Sequence, residues 1–209
     1  MQTQITDDFT DERFRQFVKD NFCGGREAIL KSDIDTVTTL VLAGQGCSSF
    51  QGIEHFTALE ELECQENMIS RLDLSSNPYL KVLNCSYNSL HELNLEHNTA
   101  LERLDCSSNY IITLNIAECT KLLEIRCNHN HLTRLDTSSH PGLTILRCFN
   151  NHLTSLDLSD NKQLTKLYCS ENKLTALDTS LNPQLVELDY ANNLISQPDH
   201  EVEGVGTLQ

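Results

Sequence analysis

Leucine returns every 21 residues along most of this chain, at Leu59, Leu80, Leu101, Leu122, Leu143, Leu164 and Leu185. Each one opens the same alternation of apolar and polar positions. From Leu80 it reads Leu-x-x-Leu-x-Cys-x-x-Asn-x-Leu-x-x-Leu-x-Leu-x-x-Asn-x-x, and Leu101 begins it again. Self-similarity at a fixed period marks a solenoid, because one such unit cannot bury its apolar edge alone and must do so against its neighbours. Within a unit, Leu-x-x-Leu-x-Cys alternates as a strand does, with Leu83 and Cys85 inward and Val82, Asn84 and Ser86 outward. The second half, Leu90 to Leu95, alternates similarly and is too short for a helix, so its spacing predicts an extended or turn-like back to each coil. Burial of each leucine is worth ~1.5–3 kcal/mol, which makes these positions the main source of stability.

The ends depart from the pattern. Residues 9–22 read as an amphipathic helix with Phe14, Phe17, Val18 and Phe22 on one face. Thr10 is placed to cap it, Asp11 and Glu12 suit its positive end, and Gly24 and Gly25 stop it. A second short helix is expected from Glu27 to Ser32, carrying Ile29 and Leu30. Residues 1–36 thus form a helical cap over the open end of a solenoid spanning 37–195, with about eight strands. The first coil is degenerate: Val37, Leu40 and Leu42 fill apolar slots, Gln45 takes the asparagine slot, and Cys47 and Phe50 fill the next two. One extra residue precedes Leu59. The last strand, Leu185 to Asn193, has Tyr190 in place of cysteine. Pro198 falls where the next inward leucine would stand, and 196–209 reads as an acidic, flexible tail with no second cap evident.

Two polar columns belong to the framework. Asn67, Asn88, Asn109, Asn130, Asn151, Asn172 and Asn193 share one repeat position. An unpaired buried backbone donor costs ~1–3 kcal/mol, and an inward amide serving the turn of the next coil would remove that cost at each step. Cys64, Cys85, Cys106, Cys127, Cys148 and Cys169 share another position. Neighbouring strands lie ~4.8 Å apart with equivalent side chains pointing the same way, whereas a disulfide needs Cβ atoms ~3.8 Å apart and inclined to each other. A stack of reduced thiols acting as small hydrophobes is expected. No Cys-x-x-Cys pair occurs, which weakens zinc and redox readings.

The phrases Leu-Asp-Cys-Ser-Ser-Asn (104–109) and Leu-Thr-Ser-Leu-Asp-Leu-Ser-Asp-Asn (153–161), with the stretch from Phe14 to Phe56, resemble bacterial leucine-rich repeat proteins. The type is internalin-like, with 21-residue repeats and a cysteine ladder. That resemblance implies a right-handed, curved, parallel solenoid that binds other macromolecules, often at a bacterial surface or a host interface.

Charge narrows the partners. Acidic residues outnumber basic ones 30 to 15, which disfavours nucleic acid and anionic membranes. No run of 18 apolar residues exists and the start is polar and acidic, which argues against a membrane span or an uncleaved signal peptide. Six stacked thiols favour a reducing cytoplasm, or delivery into one as an effector, over an exported location.

Framework positions cannot carry specificity, so function is sought at outward positions. Glu60, Glu61, Glu63 and Glu66 make the first regular strand acidic. Residues 121–173 instead hold seven basic and five acidic residues in a chain of net charge −15. Arg126, Arg147, Phe149 and Tyr168, with Tyr87, His129 and Lys166 around them, form the candidate binding patch, since arginine and aromatics dominate interface hot spots. Arg126 and Arg147 should stand ~5 Å apart, a tolerable repulsion that an anion between them would relieve. The alternative is a solvated face whose arginines pair with Glu124, Asp105 or Glu171. Exposed Phe149 and Tyr168 favour binding.

Other signals carry less. Gly44-x-Gly46 lacks the third glycine and helix of a dinucleotide loop and reads as a loose first turn. His129, His131 and His152 cluster without a further ligand. Asp73, Asp136, Asp157 and Asp178 form an acidic ridge that Asn94 and Asn115 interrupt, so a solvated ridge is favoured over calcium. Serine, histidine and aspartate recur by repeat position rather than converging on a cleft, so catalysis is disfavoured. The sequence points to a non-enzymatic module binding a protein partner on the concave face, without cofactor or metal. Carbohydrate or cell-surface adhesion through the same face is the alternative.

Overall fold

A computed structural model of the protein describes residues 3–195. The expectations for Pro198 and the 196–209 tail lie outside the described residues. Eight short parallel strands form one sheet and two form another. In chain order they are β1 (Thr39–Val41), β2 (Glu61–Glu63), β3 (Val82–Asn84), β4 (Glu92–Asn94), β5 (Arg103–Asp105), β6 (Thr113–Asn115), β7 (Glu124–Arg126), β8 (Ile145–Arg147), β9 (Lys166–Tyr168) and β10 (Glu187–Asp189). The large sheet runs β1-β2-β3-β5-β7-β8-β9-β10, and β4 pairs with β6 on the opposite side of the coils. The register advances by one repeat per strand: Leu62, Leu83, Leu104, Ile125, Leu146 and Leu167 are successive partners. Their side chains are buried, as are the ladder cysteines, and one hydrophobic cluster runs from Ile5 to Leu188. All nine cysteines are free and buried.

The inward asparagines serve the preceding coil, not the following one as expected. Asn88 Nδ2 donates to Cys64 O at 3.0 Å, and its Oδ1 accepts from Ile69 N at 3.2 Å. The same amide also reaches Cys85 O and Ser86 O within its own turn. Each asparagine thus satisfies the backbone left behind by one coil while shaping the turn of the next. Gln45 does not complete this column. It is exposed and donates only to Ala43 O, one methylene too long to turn inward in the same tight bend.

A second inward polar column follows on the back of the coils: Asn77, Asn98, Cys119, His140, Asn161 and Asn182. Asn98 Nδ2 donates to Leu74 O and Asn77 O; His140 Nε2 donates only to Ile116 O, and its Nδ1 is buried without a partner. The sequence displays this column plainly, yet its buried role emerges only from the coil path.

At the N-terminal end, α1 (Glu12–Phe22) is capped by Asp11 rather than Thr10. Asp11 accepts from Arg13 N and Phe14 N through Oδ1 and from Ser48 N and Oγ through Oδ2, while the Thr10 hydroxyl is turned toward Gln51. Gly24 and Gly25, at φ 59° and 83°, end the helix. The second helix, α2 (Lys31–Ile34), starts later than Glu27 because Ile29 O and Lys31 N bond the backbone of Ile5 and Thr3. Glu27 is exposed and pairs with Lys19 at 2.7 Å. Phe9, Phe14, Phe50 and Phe56 interlock, joining this end to the first coils. The Gly44–Gly46 turn is pinned, not loose, since Arg13 Nη1 donates to Gln45 O and Gly46 O.

Candidate functional site on the concave face

Outward positions of the eight-stranded sheet form three adjacent columns, and the pairing puts Arg126 opposite Arg147 and Arg147 opposite Tyr168. The two arginines turn to different partners instead of holding an anion between them. Arg126 Nε donates to Glu124 at 2.7 Å, and its Nη1 lies 3.8 Å from Asp105. The solvated-face alternative therefore describes Arg126. Arg147 lies over the Tyr168 ring, its Cζ 4.5 Å from the centroid, and its Nε is buried with no hydrogen-bond partner.

Tyr168 and Lys166 both bond Glu187, a residue the sequence reading did not connect with the patch. The bond to Glu187 pushes the Tyr168 hydroxyl and the Lys166 ammonium above their ordinary pKa values. Glu187 is held below its own, first by Lys166 and then by Tyr168. The signal was available, since Glu187 is one repeat beyond Lys166 on the same outward column.

Phe149 and Tyr168 are half-buried, not exposed as expected. The His129 ring meets Phe149 edge-on at 5.0 Å, and Arg147 covers Tyr168, so neighbours in the same sheet shield both rings. Arg147, Phe149, Tyr168 and His129 therefore come together on successive coils, with Lys166 attached through Glu187. Tyr87 is 62% exposed on an earlier coil, outside this contact set. Ser86, Ser107 and Ser170 lie on the outward side yet are buried, and their hydroxyls donate to Asn84, Asp105 and Asp189.

Glu66, Tyr87, Ser108, His129, Asn150, Glu171 and Asn192 all have φ between 51° and 58°. These seven non-glycine residues occupy the left-handed region where each strand turns into its asparagine. Only His129, Asn150 and Asn192 are residue types enriched there.

The remaining candidates are structural. Asp73, Asp136, Asp157 and Asp178 each accept from the backbone N–H two residues on, capping the turns of the coil backs. Those bonds hold the carboxyls of Asp73 and Asp157 below their usual range; at Asp136 the Ser138 hydroxyl contributes most. His131 and His152 stack at 5.7 Å, and no group of three or more metal-ligating side chains forms among the described residues. None of the described helices is long and apolar enough to cross a membrane.

Known structures share this architecture. Internalin C2 from Listeria monocytogenes strain 4b F2365 matches with TM-score 0.83 and 25% identity, over 94% of this chain and 90% of its own. The functional domain of InlJ from Listeria monocytogenes, which includes a cysteine ladder, matches with TM-score 0.59 and 28% identity over 95% of this chain. This chain covers 54% of that domain, about half its length. YopM from Yersinia enterocolitica WA-314 matches with TM-score 0.71 and 28% identity, over 87% of this chain and 38% of its own. No family model and no curated protein sequence matches the chain. With its 21-residue period, stacked buried thiols and parallel sheet, the chain has the leucine-rich repeat solenoid architecture and is similar to bacterial proteins of the internalin-like, cysteine-ladder type.

Proposed function

We propose that this protein is a non-enzymatic interaction module that binds a protein partner on its concave face. Leucine-rich repeat proteins of the internalin and YopM type are generally protein-interaction modules. The patch comprises Arg147, Phe149 and Tyr168, with Arg126, His129, Lys166 and Tyr87 around them. The observation that carries the reading is Arg147. Among the described residues its guanidinium makes no ion pair, its Nε is a buried unpaired donor, and Phe149 follows two positions further along the chain, against His129. An unpaired donor costs free energy until something accepts from it, and a carboxylate next to an apolar side chain would satisfy both features. Arginine with flanking aromatics is also the composition of binding hot spots.

Glycan stacking has less support. A sugar needs an open ring face, and Arg147 covers Tyr168.

The test compares proteins retained from a lysate by the wild type and by Arg147→Glu. Loss of a partner at least tenfold, with an unchanged melting temperature, is expected. Equal retention by both would refute the site.

A further inference from the structure

The concave face is electrically polarised along the stack, and that polarity constrains the partner. On β2, Glu61 and Glu63 make no ion pair among the described residues, whereas Glu60 beside them is matched by Lys81 at 2.7 Å. In the middle, charges cancel internally, Arg126 with Glu124 and Asp105, and Lys166 with Glu187. Arg147 on β8 makes no ion pair among the described residues, although its charge reaches Glu187, which Lys166 and Tyr168 hold. An excess of negative charge therefore stands toward one end of the face, and the Arg147 guanidinium stands four strands from β2. At the acidic end, among the described residues, Glu63 accepts only from Asn84 Nδ2 at 3.1 Å, and Arg103 is the unpaired cation on the rim.

The acidic end has a shape as well as a charge. Side chains of β2, β3, β5 and β7 surround a shallow hollow of about 270 Å³ floored by Val82 and by the backbone at the inward-facing Leu83 and Leu104. Its rim carries the carboxylates of Glu61, Glu63, Asp105 and Glu124 against the guanidiniums of Arg103 and Arg126. Acid exceeds base there even with every rim charge counted. A long side chain ending in a cation fits such a place, its stem against Val82 and its charge at the carboxylates.

We infer that the partner is a bipolar polypeptide segment lying across the strands, with lysine or arginine in the hollow at Glu61 and Glu63. Its other end carries an aspartate or glutamate next to an apolar residue, seated on Arg147 and Phe149. This rests on the concave-face reading above and adds the polarity and length of the partner. Four strand spacings of ~4.8 Å separate Glu63 from Arg147 by ~19 Å, which an extended chain crosses in about six residues at ~3.3 Å each. Complementary charge of this kind fixes orientation and rejects reversed or uniformly charged segments.

Selection of a random 12-residue display library on the immobilised full chain tests this. Enriched sequences should place a basic residue about six positions from an acidic–apolar pair. Synthetic versions should bind at least fivefold more weakly to Glu61→Gln/Glu63→Gln and at least tenfold more weakly to Arg147→Gln. Replacing the peptide's basic residue by norleucine should then cost little further on the glutamine variant. Peptides sensitive to Arg147→Gln but indifferent to the glutamate changes would overturn the bipolar partner and leave the concave-face site standing. A library that yields no binder, or only binders indifferent to Arg147→Gln, would overturn both. All three positions are on the surface of the sheet, so an unchanged melting temperature separates lost binding from lost fold.

Discussion

Asn130 donates from Nδ2 to Cys106 O, Cys127 O and Asn128 O and accepts from Ile111 N, all within 2.9–3.3 Å. Its replacement by alanine strands a buried N–H and several carbonyls together, so Asn130→Ala is expected to cost about 3 kcal/mol in urea unfolding. Asn115→Ala removes only an exposed bond to Asn94 and should cost under about 0.5 kcal/mol. Ser108, at φ 53°, sits where a side chain is strained, so Ser108→Gly should stabilise by about 0.5–1 kcal/mol despite the entropy glycine loses on folding. His140 fills an asparagine slot with one bond where Asn98 makes two. His140→Asn restores the second donor bond but exchanges the orphan nitrogen for an orphan amide oxygen, as at Asn77, Asn98 and Asn182, so the melting temperature should change by no more than a few degrees. The repetition of Asn67 to Asn193 made one polar column legible in the sequence. The direction of its bonds was not, because a period says that coils repeat but not which neighbour a side chain faces.

The strands follow from alternation, since three-residue segments such as Val82–Asn84 and Ile145–Arg147 fall where Leu-x-x-Leu-x-Cys places them. The helices were harder to place. Asp11, one residue after the expected cap, takes that role because it can serve the helix and Ser48 at once, a contact 37 residues away in sequence. Asp11→Ala should therefore cost about 2 kcal/mol, the upper end for an ordinary N-cap, because it also releases the first coil. Differential hydrogen exchange should show faster exchange at both Phe14 and Ser48 amides; a change confined to α1 would count against the bridge. Gly46 has a related reason to be glycine: a Cβ there would lie 2.0 Å from Arg13 Nη1.

At the scale of the whole molecule, one uninterrupted core links Phe9 and Phe14 to Leu185 and Leu188. Its thiol stripe gives it an alkaline limit. Burial pushes the Cys47, Cys127 and Cys169 thiols up to about 12 from 9.0. A group whose folded pKa is raised stabilises fully below its unfolded value and loses that contribution as pH climbs toward the folded one. Unfolding free energy should thus decline from pH 9 upward, each fully buried thiol contributing about 1.4 kcal/mol per pH unit across its own window. Cys127→Ala should flatten that decline while lowering stability at pH 7, and an identical slope in the variant would contradict the assignment.

By itself, the sequence determined the architecture: the period, the inward leucines, the stacked thiols and the order of outward residues along each column. These follow from local alternation and from repetition, both of which are written in one dimension. Tertiary structure alone decided which charges remain available. Arg126 and Arg147 occupy equivalent positions one repeat apart, yet one is bound by Glu124 and Asp105 and the other lies on Tyr168 with a donor to spare. Pairing among long side chains depends on rotamers and on neighbours from several coils at once, and no spacing along the chain encodes it.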